Sequence, residues 1–166
     1  MAFIELDPKG ENRIVVSPGS NKKLSPEDIR RCIPLFRKST LFVAQLEIPM
    51  ETVTLGLKMA KRFGALTLLN PSPSRPLPSE ILSLTDFLVP NELEAQALTG
   101  LKMKKEQELP KIAGRLLKMG TKNVVITLGS KGLYFKNDHE EIWMKAFKVK
   151  VVDTTAAGDA FMGGLA

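Results

Sequence analysis

Short apolar runs alternate with longer segments of helical periodicity along most of the chain, and no other feature of the sequence restricts the fold as strongly. The clearest runs are Leu41–Ala44, Leu66–Leu69 and Asn123–Thr127, all of strand length. Between the first two, apolar residues recur at helical spacing over residues 50–60, and Gly64 follows as a helix terminator. A strand, a helix and a second strand join through a right-handed crossover into a parallel pair. The pattern therefore predicts an α/β protein with a mainly parallel sheet flanked by helices.

Segments outside this unit add further strands and helices. Residues 3–6 and 13–16 are expected to form an antiparallel hairpin, because residues 8–10 have turn chemistry. Ser25 is placed to cap a helix over residues 26–36. The remaining pattern predicts helices at residues 80–84, 91–98 and 106–119, and strands at residues 87–89, 132–135, 141–144 and 147–152, with an antiparallel portion near the end.

Composition limits the class of protein. A chain of 166 residues, 43% hydrophobic and 25% charged, suits a single domain spanning residues 1–166. The net charge is +6, but the lysines and arginines are dispersed and only 6% of residues are aromatic, which argues against nucleic-acid binding. Cys32 and His139 are the single cysteine and histidine, so no disulfide framework or Cys/His metal cluster is expected, and Cys32 should fill the core. No apolar run approaches membrane-spanning length. We expect a cytoplasmic protein without membrane or nucleic-acid partners.

The segment from Asp153 to Asp159 is the strongest candidate for a site. It follows a β-branched run, passes through two threonines and three small residues, and enters a predicted helix. Small residues let a ligand approach the backbone closely, and N–H groups at a helix N-terminus bind phosphate oxygens. Asp159 would lie in the first helical turn, where a carboxylate can accept a proton from a substrate hydroxyl. Alternatively, Asp159 only complements the helix dipole and Thr155 caps the helix.

The string DTTAAGD at residues 153–159 resembles the second signature of the PfkB-type carbohydrate kinases, the family that includes ribokinase, adenosine kinase and fructokinase. Phe161 also matches this signature. Ala156 stands where many members have glycine, and ribokinases admit alanine there. The resemblance implies a ribokinase-like fold, with a mainly parallel sheet that is incomplete at both ends.

The resemblance also implies roles for individual residues of this segment. Asp159 would be the catalytic base and would contact the sugar. The anion hole would be formed by the amides of Ala156, Ala157 and Gly158. Asp153 and the backbone carbonyl of Thr155 would help to bind an activating K⁺ ion.

Asn91 and Glu94 follow the predicted strand at residues 87–89, at the strand edge where open α/β sheets bind ligands. They resemble the family's Asn-x-x-Glu motif. The resemblance implies that Asn91 approaches the ATP phosphates and that Glu94 influences Mg²⁺ through water. Alternatively, Asn91 is an ordinary N-cap and Glu94 an ordinary first-turn acid.

Two further segments follow strand ends. The loop at residues 127–132 resembles the family's Thr-x-Gly-x-x-Gly nucleotide segment, although a plain hairpin turn is the alternative. The implied ATP-binding residues are Asn91, Thr127, Leu128, Gly129, Ser130, Lys131, Gly132, Gly158 and Asp159. Glu47 is the candidate for contacting sugar hydroxyls, with an exposed strand-end carboxylate as the alternative. Asn70 is interpreted as structural.

The resemblance implies ATP-dependent phosphoryl transfer to the primary hydroxyl of a pentose, from ribose to ribose 5-phosphate, with ATP, Mg²⁺ and K⁺ as cofactors. The alternatives are another sugar or nucleoside kinase of the family and a non-catalytic remnant that binds a nucleotide or sugar. Family members have segments on both sides of the matching region, so we expect a fragment of a longer kinase. The full-length protein would be a homodimer with a small-molecule sugar as its substrate.

Overall fold

A mixed six-stranded sheet forms the centre of the protein. The computed structural model describes residues 2–6 and 12–166. The sheet has the order β3-β4-β5-β6-β7-β8, in which β3 to β6 are parallel and β7 and β8 are antiparallel additions. Its strands are β3 (Leu41–Ala44), β4 (Leu66–Leu69), β5 (Phe87–Leu88), β6 (Asn123–Thr127), β7 (Leu133–Lys136) and β8 (Glu141–Met144). A separate antiparallel pair consists of β1 (Ala2–Leu6) and β2 (Asn12–Val16). The predicted mainly parallel α/β fold is confirmed.

The α-helices connect the strands and cover the sheet. They are α1 (Pro26–Arg31), α2 (Ile33–Phe36), α3 (Met50–Arg62), α4 (Ser79–Ser83), α5 (Glu92–Thr99), α6 (Leu109–Lys118) and α7 (Ala157–Leu165). Short 3₁₀ turns lie at Gly19–Lys23, Glu106–Glu108 and Gly129–Lys131. Within the described residues, no helix is long and apolar enough to cross a membrane.

Alternation along the strands separates the apolar side chains onto two faces of the sheet. Val124 and Ile126 of β6 join the larger core, which includes Leu57 of α3 and side chains of α4, α5 and α6. Val125, between them, joins a smaller cluster with Met162 of α7. Successive strand side chains point to opposite faces, which explains this division. The larger core therefore lies on one face, and α7 packs on the other.

The first helical region differs from the single helix expected over residues 26–36. Ser25 caps the helix as predicted, and it forms a capping box with Asp28, since each side chain accepts a hydrogen bond from the other's backbone N–H. The helix nevertheless divides at Cys32, where α1 ends and α2 begins. Pro34 accounts for the break, because proline has no N–H and its ring clashes with a helical carbonyl one turn earlier. Cys32 packs, partly buried, beside Phe36, in agreement with its predicted role as core filler.

The strand predicted at residues 147–152 does not form. This segment is irregular, and its apolar side chains are exposed, Phe147 to 90% and Val152 to 91%. Alternation and β-branching favour extended structure, but a strand also needs a neighbour to accept and donate its backbone hydrogen bonds. None of the described strands pairs with this segment. The turn predicted at residues 8–10 lies outside the described residues.

Asp86 joins three segments at the edge of the sheet opposite the carboxyl ends of the parallel strands. Only 3% of this residue is exposed, and it directly precedes β5. Its carboxylate accepts hydrogen bonds from Lys61 Nζ at 2.7 Å and from the Thr67 backbone N–H at 3.0 Å, and lies 3.0 Å from Lys122 Nζ. Burial by itself raises the pKa of Asp86, but the hydrogen bonds from Lys61, Lys122 and Thr67 outweigh it and hold the pKa at about 2.

Replacing Asp86 with asparagine should lower the free energy of unfolding by about 2 kcal/mol at neutral pH, because two lysines lose their anionic partner. The folded-state pKa of about 2 lies below the ordinary 3.8. The stabilisation is therefore fully present above the ordinary value and is lost as the pH falls towards the folded-state value. Denaturant titrations over this acidic range should show that loss in the unsubstituted chain and a weaker pH dependence in Asp86→Asn.

Glu80→Gln is a matched control, because it removes a carboxylate 2.7 Å from Lys58 Nζ in a pair whose side chains are each about half exposed. Exposed ion pairs contribute little, so its free energy of unfolding should change by less than about 1 kcal/mol. Equal effects of the two substitutions would contradict the importance assigned to Asp86.

Candidate functional site

A cavity of about 230 Å³ lies at the carboxyl edge of the parallel strands. Gln45 directly follows β3, Asn70 directly follows β4, and Asn91 is bridged to Thr127 at the end of β6. The first turn of α7 closes the other side. Because parallel strands end at the same edge, residues distant in sequence meet here. The lining residues are Gln45, Asn70, Ser72, Val89, Asn91, Glu94, Thr127, Thr154, Thr155, Ala156, Ala157, Gly158, Asp159, Phe161 and Met162.

Helix α7 begins with free backbone donors. Ala156, at the N-cap, has a φ of 58° and is the single non-glycine residue of the described chain with a positive φ. The N–H of Ala157 donates to the carbonyl of Thr154 at 3.1 Å. Within the described residues, the N–H groups of Gly158 and Asp159 donate no hydrogen bond to another group. Unpaired donors at the positive end of a helix can hold an anionic oxygen. Ala157, one of the predicted anion-hole amides, is thus already engaged.

The Asp159 carboxylate is connected to the sheet by side-chain amides. Its Oδ1 accepts a hydrogen bond from Gln45 Nε2 at 2.6 Å. The same Nε2 lies 3.5 Å from Asn70 Oδ1, and Asn70 Nδ2 donates to the backbone carbonyl of Val89 at 2.7 Å. This chain of amides joins the first turn of α7 to the ends of β3, β4 and β5. Asp159 is itself exposed, so a ligand in the cavity can reach it.

Asn91 and Glu94 form a capping box at the start of α5. Asn91 Oδ1 accepts from the Glu94 N–H at 2.8 Å, and Glu94 Oε2 accepts from the Asn91 N–H at 2.9 Å. The box agrees with the capping alternative, yet both residues also line the cavity. Glu94 is buried, with 6% exposed, although carboxylates are seldom buried without a charged partner. The two interpretations are therefore compatible, since the box fixes both side chains at the cavity wall.

The residues of the loop at 127–132 differ in whether they face the cavity. Thr127 lines the cavity, whereas the Leu128 side chain is buried in the larger core, so only its backbone is available for a ligand. Lys131 Nζ lies 2.9 Å from Glu106 Oε1, and this hydrogen bond raises the pKa of Lys131. Gly132 packs so tightly that an added Cβ would lie 1.9 Å from the carbonyl oxygen of Met144.

Asp153, Thr155 and Glu47 contribute differently to the site. Asp153 Oδ1 accepts from the Thr155 N–H at 2.8 Å, and this hydrogen bond lowers the pKa of Asp153. Thr155 lines the cavity, whereas Asp153 and Glu47 do not. Glu47 Oε2 accepts a hydrogen bond from Asn21 Nδ2 at 3.2 Å. Among the described residues, no three His, Cys, Asp or Glu side chains are grouped so as to hold a metal ion.

Comparison with known proteins identifies the family. The sequence profile of the pfkB family carbohydrate kinases matches residues 1–166. This chain belongs to the pfkB family. It is 42% identical over 162 residues to the ribokinase of Staphylococcus aureus (strain COL), in an alignment covering 98% of the chain and 53% of that protein. The chain thus spans about half the length of the curated relatives it matches.

Solved structures of pfkB-type proteins have the same fold. The ribokinase from Thermotoga maritima is 40% identical, with a TM-score of 0.83 over 98% of this chain and 53% of its own. The Arabidopsis thaliana ribokinase complexed with ribose and ATP is 30% identical, with a TM-score of 0.84 over 96% of this chain and 53% of its own. The predicted ribokinase-like fold is confirmed.

The cavity includes residues beyond those that the sequence motifs indicate, and Gln45 and Asn70 are the two that form hydrogen bonds behind Asp159. From the sequence, the sugar contact is assigned to Glu47 and a structural role to Asn70, whereas Gln45 and Asn70 line the cavity beside Asp159. Their positions were the available signal, because each is the first residue after a parallel strand. Leu46, between Gln45 and Glu47, is fully buried and is held by a 2.8 Å hydrogen bond from its N–H to the carbonyl of Ser72.

The two glycines of the loop at residues 127–132 should differ in their tolerance of alanine. Gly132 has a φ of 107° and no room for a Cβ, whereas Gly129 has a φ of 56° and no atom within 4 Å of an added Cβ. Gly129→Ala should cost about 1 kcal/mol, the ordinary penalty of the left-handed region. Gly132→Ala should cost about 3 kcal/mol or more, because backbone strain and a steric clash combine. Denaturant unfolding of both variants tests this, and similar costs would show that the loop relaxes around residue 132.

Proposed function

We propose that this chain forms the phosphoryl-transfer part of an ATP-dependent pentose kinase that converts ribose to ribose 5-phosphate. The observation that supports this most is the position of Asp159. Its carboxylate lies in the first turn of α7, in a cavity at the carboxyl edge of the sheet, beside the N–H groups of Gly158 and Asp159, which donate to no other described residue. A proton acceptor and anion-binding donors thus share one site, as phosphoryl transfer to a hydroxyl requires.

In the proposed reaction, Asp159 accepts the proton of the sugar's primary hydroxyl. The hydroxyl oxygen forms a bond to the γ-phosphorus of ATP as the bond from that phosphorus to the β-γ bridging oxygen breaks, and ADP leaves with the electron pair. Negative charge on the transferring group is stabilised by the free amides of Gly158 and Asp159. Ala156 belongs to the same turn, and its backbone brings these amides to the cavity.

The nucleotide is proposed to bind along the ends of β5 and β6. Asn91 would face the phosphates, and the backbone of residues 127–132 would border the nucleotide, with Gly129 and Gly132 permitting close approach. The ion pair with Glu106 directs Lys131 towards that residue, so Lys131 would meet ATP only after releasing it.

The proposal includes two cations, Mg²⁺ near Glu94 and K⁺ near Asp153 and Thr155. Glu94 is proposed to act on Mg²⁺ through a water molecule. One of its carboxylate oxygens already accepts a hydrogen bond from Asn91, and Asp159 is the other carboxylate in the cavity lining. Mg²⁺ keeps several waters when it binds phosphates, and it would neutralise charge on the transferring group. For K⁺, Asp153 and the backbone carbonyl of Thr155 would supply oxygen ligands, and the hydrogen bond from the Thr155 N–H to Asp153 Oδ1 keeps these two residues close together.

The sugar is proposed to be ribose. The relatives named above are ribokinases, one of them complexed with ribose and ATP, and this favours ribose. Glu47 is proposed to contact sugar hydroxyls together with segments of the full-length protein, because the chain spans about half of its relatives' length. A homodimeric full-length protein in the cytoplasm completes the proposal.

Asp159→Asn in the full-length protein should abolish ribose-dependent ADP release while retaining ATP binding. The substitution keeps the size of the side chain but removes the proton acceptor, so kcat should fall by about 10³-fold or more. A coupled assay measures turnover, and calorimetry measures ATP affinity. Unchanged turnover would contradict the assignment of Asp159.

Substrate panels test the sugar assignment separately. Ribose should give the highest kcat/KM among ribose, 2-deoxyribose, fructose and adenosine. A higher value for another compound would replace ribose with that substrate, and an absence of both ATP binding and turnover would favour a non-catalytic remnant.

A further inference from the structure

Gln45 is the side chain that fixes the Asp159 carboxylate. Its Nε2 donates to Asp159 Oδ1 at 2.6 Å, across 114 residues of sequence. No other side-chain hydrogen bond to this carboxylate occurs in the part of the chain that the structure describes. Gln45 immediately follows β3, so the contact links a rigid strand of the sheet to the helix that holds the proposed base.

The direction of this hydrogen bond follows from the groups behind it. The Val89 carbonyl can only accept, so Asn70 must present its Nδ2 to it, and these atoms are 2.7 Å apart. Asn70 Oδ1 is thereby turned towards Gln45, whose Nε2 lies 3.5 Å away. An amide oxygen at that position favours the NH₂ end of Gln45 over its oxygen end. Gln45 therefore presents a donor to the cavity, and Oδ1 of the Asp159 carboxylate accepts from it.

An oxygen that accepts this bond is held in place. Oδ1 of Asp159 is engaged by Gln45, and Oδ2 has no partner among the described residues. A base must offer its free oxygen to the substrate hydroxyl within hydrogen-bond reach and in a constant direction. The hydrogen bond to Oδ1 restricts rotation of the carboxylate and so narrows the directions in which Oδ2 points.

We propose that Gln45 is a positioning residue for Asp159, oriented by Asn70, and that it reserves Oδ2 as the oxygen that receives the hydroxyl proton. This inference rests on the proposed function. It assigns to Gln45 an effect on turnover that acts through Asp159, without contact between Gln45 and the reacting atoms.

Two substitutions of Gln45 in the full-length kinase separate positioning from space filling. Gln45→Ala should lower kcat by about 10- to 100-fold with the KM values for sugar and ATP nearly unchanged, because a misplaced base mainly impairs the chemical step. Gln45→Glu keeps the shape but sets a carboxylate against Asp159, so it should lower kcat further than alanine does. Simple space filling predicts the reverse order, and finding that order would overturn the proposal.

Asn70→Asp tests the orientation of Gln45. An aspartate cannot donate to the Val89 carbonyl, so the direction of the amide chain is lost and kcat should fall with little change in KM. Gln107→Ala is the matched control for Gln45→Ala, since Gln107 is exposed and lies outside the cavity lining. Its kcat should equal that of the unsubstituted enzyme. Asn70→Asp with normal turnover would contradict the role assigned to Asn70.

Asp159→Asn distinguishes failure of this inference from failure of the proposed function. Asp159→Asn without turnover, together with a fully active Gln45→Glu, would overturn the positioning role and leave the function standing. Full activity of Asp159→Asn would overturn both. A readout independent of activity is the NMR signal of the Gln45 side-chain amide, which should shift strongly in Asp159→Asn. An unshifted signal would show that the hydrogen bond does not form in solution.

Discussion

The parallel register of β3, β4, β5 and β6 determines where the polar groups of the cavity lie. Each of these strands ends at the same edge. Polar side chains follow three of them, since Gln45 comes directly after β3, Asn70 directly after β4, and Asn91 three residues after β5. The edge gathers amides from Gln45 and Asn70 and the capping box of Asn91. A shift in the register of one strand would separate these groups, so the geometry of the site depends on backbone pairing before it depends on any side chain.

The opposite edge of the sheet has a stabilising role. Asp86 is buried there with two lysines and a threonine around it, and its interactions join α3, β4 and the start of β6. The charges at that edge are paired internally, whereas at the carboxyl edge the amides of Gly158 and Asp159 have no hydrogen-bond partner among the described residues. This contrast between satisfied and unsatisfied polar groups distinguishes a structural cluster from a ligand site.

Features set by local sequence were predictable, and features set by distant partners were not. The strands and helices from Leu41 to Thr127 followed from periodicity, and the cap at Ser25 followed from residue type. The bond between Gln45 and Asp159 joins residues 114 positions apart, and no local pattern encodes it. The strand expected at residues 147–152 failed for the same reason, because pairing depends on a neighbour. The division at Cys32 belongs with the local features, since its cause, Pro34, is visible in the sequence.

Helix α7 stands apart from the rest of the packing. It contributes Met162 and Phe161 to the smaller cluster, whereas the larger core lies across the sheet among α3 to α6. Substitutions that weaken the packing of Met162 against the sheet would therefore displace α7 and the Asp159 carboxylate with it. They would leave the larger core, which holds most of the buried apolar residues, unchanged. The packing that holds Asp159 in place is thus separate from the packing that stabilises most of the fold. Substitutions can change one without changing the other.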